Sequence, residues 1–229
     1  YAQFLGVLPE GSFDAIVLMP FCKLGGADFV AGVLTTVLSE TKRVLVIRTD
    51  ADDWARPDWF PTNAATVDLS PLFKPLDPTL RTRILYEILQ RYHPETVFNV
   101  NSRLAFDTFV RFGERLSQRM RLCAYYFCAD RTPKGVETGY PVWYFSNILP
   151  SLSAAMIDNQ ALADQLVARY SLTGAYRDRV RLIYTPAMTE FPETTLAEAQ
   201  LKNPAPRARR RMLWGGRLDA QKRFDLVQQ

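Results

Sequence analysis

The stretch FDAIVLMPFCKLGGADFVAGVLTTVLSE, residues 13–40, decides the fold. Its first seven residues are almost continuously apolar and stop at Pro20, which is how a strand buried on both faces of a parallel sheet reads. Leu24-Gly25-Gly26 then turns the chain. Over 27–40 the apolar positions Val30, Val33, Leu34, Val37 and Leu38 follow the helical period. A buried strand, a glycine turn and an amphipathic helix make the opening βα unit of a doubly wound sheet.

The alternation continues along the chain. Residues 43–48 (RVLVIR) form a second strand and residues 65–68 a weaker third. Pro78 opens a helix reaching Gln90, with Leu80, Ile84, Leu85, Ile88 and Leu89 on one face. A strand at 96–100, a helix at 105–114 and a strand at 120–127 follow. Strands at 154–157 and 180–184 are separated by a helix over 160–170, for which Asp158 and Asn159 are natural N-caps. The expected fold is α/β: a Rossmann-like, doubly wound parallel sheet with helices on both faces.

A boundary is expected after the last strand, where prolines 186, 192, 204 and 206 precede the basic cluster Arg207–Arg211. This gives a domain over 1–187, a linker over 188–210, and over 211–229 the first strand and helix start of a second domain. The chain opens on Tyr1 and stops inside the helix begun at Gln221, so a segment of a longer protein is expected.

Composition narrows the class. With 48% apolar residues the chain can fill a core, and no apolar run approaches the roughly 18–20 residues of a membrane span. Three cysteines (Cys22, Cys123, Cys128) are too few and too odd in number for a disulfide framework. They read as reduced, mostly buried thiols of a cytoplasmic protein. The only histidine, His93, precedes Pro94 and reads as a solvated turn residue. A net charge of +4 is compatible with anionic donors or with peripheral contact to an acidic membrane. The cluster 207–211 has no interleaved aromatic rings, so no nucleic-acid partner is expected.

Chemistry concentrates near the C-terminal end, in RMLWGGRLDAQKRFDLV, residues 211–227. A short apolar strand runs into Gly215-Gly216, followed by Arg217 and, five positions on, Lys222. A guanidinium holds phosphate oxygens in a planar fork and an ammonium acts as a movable point charge, so the pair suits a pyrophosphate. The alternative is two surface cations flanking a turn, with Asp219 as a local partner. Gly25-Gly26 likewise has two readings, tight packing or close backbone approach to a ligand at a helix N-terminus.

This loop resembles the Gly-Gly-Arg-x4-Lys segment of retaining glycosyltransferases with the GT-B fold, family 4. AMIDNQALADQLVARYSL (155–172) and RVRLIYTPA (179–187) are similar to the family more loosely, the second without its Asn-Gly turn. The resemblance implies the acceptor-side, N-terminal half of a GT-B enzyme with the start of the donor-side domain. It implies a hexosyltransferase-like enzyme of polysaccharide biosynthesis, moving a sugar from a nucleotide-diphosphate donor to a glycan or carrier acceptor with retention. Arg217 and Lys222 would be catalytic, stabilising the departing diphosphate; Gly25, Gly26 and Gly216 would join them in binding the donor phosphates. No cofactor and no metal is expected, in keeping with the lack of a histidine cluster and of an Asp-x-Asp pair in a plausible loop.

The chain also departs from the family. Where many members carry a histidine after the strand at 120–127, it has Phe127-Cys128-Ala129-Asp130. Asp130 stands open between an acceptor or donor contact and a turn-capping role. The family's paired glutamates would lie beyond Gln229, in the C-terminal domain that would complete the site, so this segment alone is expected to be inactive. The rival reading is a non-catalytic Rossmann-like carbohydrate-recognition or assembly module of a larger polysaccharide-building protein. A dinucleotide-dependent oxidoreductase is disfavoured because Lys23-Leu24-Gly25-Gly26 stands where Gly-x-Gly-x-x-Gly would be. Two aromatic loops, 52–60 (DDWARPDWF) and 139–145 (GYPVWYF), either stack on a sugar or close over the sheet.

Overall fold

The computed structural model describes residues 1–23 and 25–185. They fall into two compact units, residues 1–129 with 138–185 in the first and residues 130–137 in the second. In chain order the first unit holds α1 (Ala2–Val7), β1 (Ala15–Met19), α2 (Gly26–Ser39), β2 (Val44–Arg48), β3 (Ala65–Asp68), α3 (Ser70–Phe73), α4 (Pro78–Tyr92), β4 (Thr96–Val100), α5 (Arg103–Ser117) and β5 (Arg121–Tyr126). A two-stranded hairpin, β6 (Asp130–Arg131) and β7 (Glu137–Thr138), comes next. Then follow α6 (Tyr140–Trp143), α7 (Phe145–Ile148), β8 (Ala154–Ile157), α8 (Gln160–Arg169), α9 (Gly174–Arg179) and β9 (Val180–Leu182).

Seven strands form one sheet in the order β3-β2-β1-β4-β5-β8-β9, all neighbours parallel. The chain winds outward from β1 to β3, returns to the other side of β1 as β4, and winds outward again. The strand order therefore reverses between β1 and β4. This is the Rossmann-like doubly wound fold expected. Strands at 65–68, 96–100 and 154–157 have the expected bounds, and the others differ by one or two residues at an end.

Burial on both faces explains the continuous apolar strands. Ile16 and Leu18 of β1 enter one core with α1, α4, α5, α7 and α8, while Ala15, Val17 and Met19 enter a second, smaller core beneath α2. Asp77 caps α4, its carboxylate accepting the Leu80 amide at 3.0 Å; Ser102 caps α5 and Asn159, rather than Asp158, caps α8. His93 is exposed and closes α4 in the left-handed region, φ 47°. Among the described residues no helix is long and apolar enough to cross a membrane.

Two expectations change. In α2, Val30 is buried and Leu34 and Leu38 pack against the second core as expected, but the buried positions also include Asp28, Ala31, Gly32, Thr35 and Ser39, and Val37 is 58% exposed. The cause is the loop 52–60, which closes over this side: Trp59 packs edge-on to Phe29 and lies against Gly32, and Trp54 stacks on Phe60 at 4.6 Å. Small side chains at α2 positions 31, 32 and 35 let that loop approach. On α4, Leu80 is 40% exposed because it sits in the first turn, beyond the edge of the core. The cysteines are free and mostly buried, as expected: Cys22 and Cys123 are buried, and Cys128 is exposed because β5 ends at Tyr126.

Candidate functional site

In an open parallel sheet the strands' C-terminal ends splay apart where the strand order reverses, leaving a crevice for ligands. Here that point lies between β1 and β4. Its walls are the β1–α2 loop, the tip of β2 and the β4–α5 turn.

The β1–α2 loop is held from two sides. Backbone pairing of β1 with β2 continues past the sheet, Asp50 N–H donating to Pro20 O at 2.9 Å and Cys22 N–H to Asp53 O at 2.8 Å. From within, Asp28, only 5% exposed, accepts the Lys23 amide on its Oδ2 at 3.0 Å. Burial raises the Asp28 pKa, and the amides of Lys23 and Gly25 oppose that rise. The two glycines then differ. A Cβ on Gly25 would sit 3.3 Å from Asp28 Oδ2, whereas one on Gly26 would meet nothing within 4 Å. Gly25 is constrained by internal packing. Gly26, the first residue of the 14-residue helix α2, leaves its backbone open to approach.

Below the crevice a buried polar network joins three strands. Asn99 of β4, fully buried, accepts the Ser102 amide at 2.9 Å and donates to Ser102 O at 3.2 Å. Ser102 Oγ lies 2.7 Å from Thr49 Oγ1, which in turn donates to Met19 O at the end of β1. Each buried polar atom named here has a partner, so the network fixes the spacing of β1, β2 and β4 where the crevice opens. Between Asn99 and Ser102, Asn101 takes the left-handed region, φ 67°, which asparagine tolerates better than most residues.

Asp50 stands at the lip, exposed as a residue while its carboxylate is partly desolvated by the protein beside it. Burial raises its pKa to about 6, against the opposing pull of Thr49, the Arg103 amide and Arg81, with Asp107 adding to the rise. On the first turns of α5, Arg103 Nε lies 3.9 Å from Asp107 Oδ2, and the Tyr144 hydroxyl donates to Asp107 Oδ1 at 2.6 Å. Burial, then the Asp107 carboxylate, pushes the Tyr144 phenol up to about 12.

Of the residues singled out in the sequence, Gly25 and Gly26 lie at this crevice. Asp130 is exposed on β6 of the hairpin. Gly216, Arg217 and Lys222 lie outside the described residues. Asp50, Asn101 and the Thr49–Ser102–Asn99 network escaped the sequence reading. A signal was available: polar residues at or just past the ends of apolar strands, Thr49 and Asp50 after β2 and Asn99, Asn101 and Ser102 around the end of β4, mark strand tips. Asp50-Ala51-Asp52, in the loop after β2, is also an Asp-x-Asp pair, which corrects the reading that no plausible loop carries one. Among the described residues no group of three or more His, Cys, Asp or Glu is placed to hold a metal ion.

No protein-family model and no curated protein sequence matches the chain. Solved structures do, and the similar ones include GT-B glycosyltransferases. Anabaena HepE in complex with UDP-glucose aligns with TM-score 0.53 and 13% identity, over 82% of this chain and 50% of that one. A glycosyltransferase from Rickettsia africae gives 0.52 and 9%, over 84% and 50%. The lipopolysaccharide outer core galactosyltransferase WaaB, in its apo form, gives 0.51 and 11%, over 77% and 46%. At these identities the likeness is one of fold. The chain spans about half the length of the structures it matches.

Proposed function

We propose that this chain is the acceptor-side half of a retaining glycosyltransferase that uses a nucleotide-diphosphate sugar, with the donor-side domain starting at the strand before Gly215. The observation that carries the reading is the combination of two features. One is a doubly wound sheet with a glycine turn at its first βα junction; the other is the Gly215-Gly216-Arg217-x4-Lys222 loop further along. The fold likeness to sugar-transferring enzymes supports it.

On this reading the bond between the anomeric carbon and the diphosphate breaks, and the diphosphate leaves with the electron pair. An acceptor hydroxyl forms the new bond on the same face and its proton passes to a departing phosphate oxygen. Arg217 and Lys222 offset the charge that builds on the diphosphate, and the Gly26 amide adds a backbone donor. The polypeptide is cytoplasmic, serves polysaccharide assembly and needs no metal.

The test is to incubate the intact polypeptide with UDP-, GDP- and ADP-linked sugars and follow release of the nucleoside diphosphate. One base is expected to support release. Arg217→Ala and Lys222→Ala are each expected to slow it by at least about 100-fold, the scale of losing one transition-state charge contact. Release that is unaffected in both variants removes the assignment.

A further inference from the structure

Asp28 is a carboxylate in a costly place. It lies in the first turn of α2, three residues past the N-cap Gly25, and is 5% exposed. Burying a carboxylate is unfavourable unless it is paired or hydrogen-bonded. The closest candidate for a partner, Lys23, gives its ammonium to Asp53 at 3.2 Å and its backbone amide to Asp28 at 3.0 Å. Of the influences that favour the charged form of Asp28, the Lys23 and Gly25 amides come first and the Lys23 ammonium last. The carboxylate is therefore held mainly by backbone, at the turn that leads from β1 into α2.

An acidic residue in the third helical position that reaches back to the N-cap amide is one half of a capping box. The other half, a side chain on the N-cap residue that bonds the first helical turn, is missing, because the N-cap is glycine and no side chain caps α2. The device thus satisfies amides on the strand side of the turn and leaves the helix side without a side-chain cap.

Gly25 belongs to the same device. Its backbone, φ −134° and ψ 158°, is extended and open to any residue. What it cannot carry freely is a side chain, since a Cβ there would stand 3.3 Å from Asp28 Oδ2. Gly26 has no such neighbour. The two glycines divide the work: Gly25 makes room for the carboxylate, and Gly26 faces open space.

We propose that Asp28 is a positioning residue, which grips the turn from its buried side, fixes where the Gly26 amide stands at the crevice, and so sets the affinity for the diphosphate of the donor. This rests on the transferase reading for the identity of the ligand. Asp28 itself touches no substrate. Its charge alone would repel a diphosphate, so a purely electrostatic influence predicts tighter binding once that charge is removed. Positioning predicts the reverse.

The experiment titrates the intact polypeptide with UDP, GDP and ADP in a calorimeter, and repeats the titration with two variants. Asp28→Asn keeps the shape but leaves one acceptor oxygen for two amides. It is expected to raise the Kd of the nucleotide that binds by about 3- to 10-fold, the weight of one hydrogen bond. Gly25→Ala keeps the carboxylate and presses it out of place; it is expected to raise the Kd likewise, and carries the test alone if Asp28→Asn does not fold. Amide exchange followed by NMR is expected to quicken by about 10-fold at Lys23 and Gly25 in Asp28→Asn, with the amides of α2 beyond Val33 unchanged. A role in stability alone would leave the Kd of the folded protein where it was. A Kd that is unchanged or lower in a folded variant, or exchange that quickens all along α2, overturns the proposal. If the parent binds none of the three nucleotides, the transferase reading falls and takes this role with it. If the parent binds and the variants bind equally well, this role alone is removed.

Discussion

Replacing Gly32 by alanine tests the packing that holds the α2 side of the crevice. Alanine is the better helix former by about 1 kcal/mol, so propensity alone predicts stabilisation in the middle of α2. The structure predicts the reverse. A methyl group at Gly32 would lie 2.6 Å from the Trp59 carbonyl oxygen and 2.9 Å from Trp59 Cβ. The first is a backbone atom of a segment pinned by Trp54–Phe60 stacking and by the Asn63 side-chain bond to Ser39 O, so it has little room to retreat. Overpacking of this kind costs about 1–3 kcal/mol, and the 2.6 Å approach to a backbone atom places this case at the upper end, so after the propensity gain a net loss of up to about 2 kcal/mol remains. For a chain of this size that is a fall in Tm of up to about 8 °C. Gly6→Ala in α1, where a Cβ meets nothing within 4 Å, serves as the control and is expected to be neutral or slightly stabilising. Thermal and urea unfolding followed by tryptophan fluorescence measures both. If Gly32→Ala is as stable as the parent or more so, the α2–loop packing described above is wrong.

Other outcomes follow from the same geometry. Gly26→Ala is expected to leave urea stability unchanged while weakening nucleotide-diphosphate binding in calorimetry; an unchanged affinity would take Gly26 out of the donor site. Ser102→Ala removes the cap of α5 and a partner of Thr49, so a loss of about 1–2 kcal/mol is expected in urea unfolding, and a loss under half of that would mean the network is dispensable. Because the folded-state pKa of Asp50 is raised to about 6, its protonated form is the one the fold favours. Its stabilising effect is complete below the unfolded pKa of about 3.9 and is lost as pH rises through 6. Asp50→Asn should therefore raise the urea midpoint at pH 7 and flatten its change between pH 4 and 6; a lower midpoint at pH 7 would contradict the environment assigned to Asp50.

The fold itself was legible because β1, β4 and β8 are short apolar runs between turn signals, and burial on both faces leaves no alternation to misread. The facing of α2 was legible in part. Val30, Leu34 and Leu38 mark its core side, and only the position of Trp59, far along the chain, shows why Gly32 and its neighbours turn inward while Val37 does not. The short helices α1, α6, α7 and α9 give too few turns for a period to register. At the site, Gly25-Gly26 announced themselves by type. Asp50 did not, since an aspartate after a strand is commonplace and the surroundings that set its pKa come from Arg103, Asp107 and Arg81, at least 31 positions away.

The central claim is that this polypeptide grips a nucleoside diphosphate through Arg217 and Lys222. Phosphorus NMR of UDP, GDP and ADP mixed with the intact polypeptide addresses it directly. One of the three should show shifted, broadened α- and β-phosphate lines that return to their free positions in the Arg217→Ala, Lys222→Ala double variant. Sharp, unshifted lines for all three nucleotides, or shifts that survive the double substitution, would contradict the account.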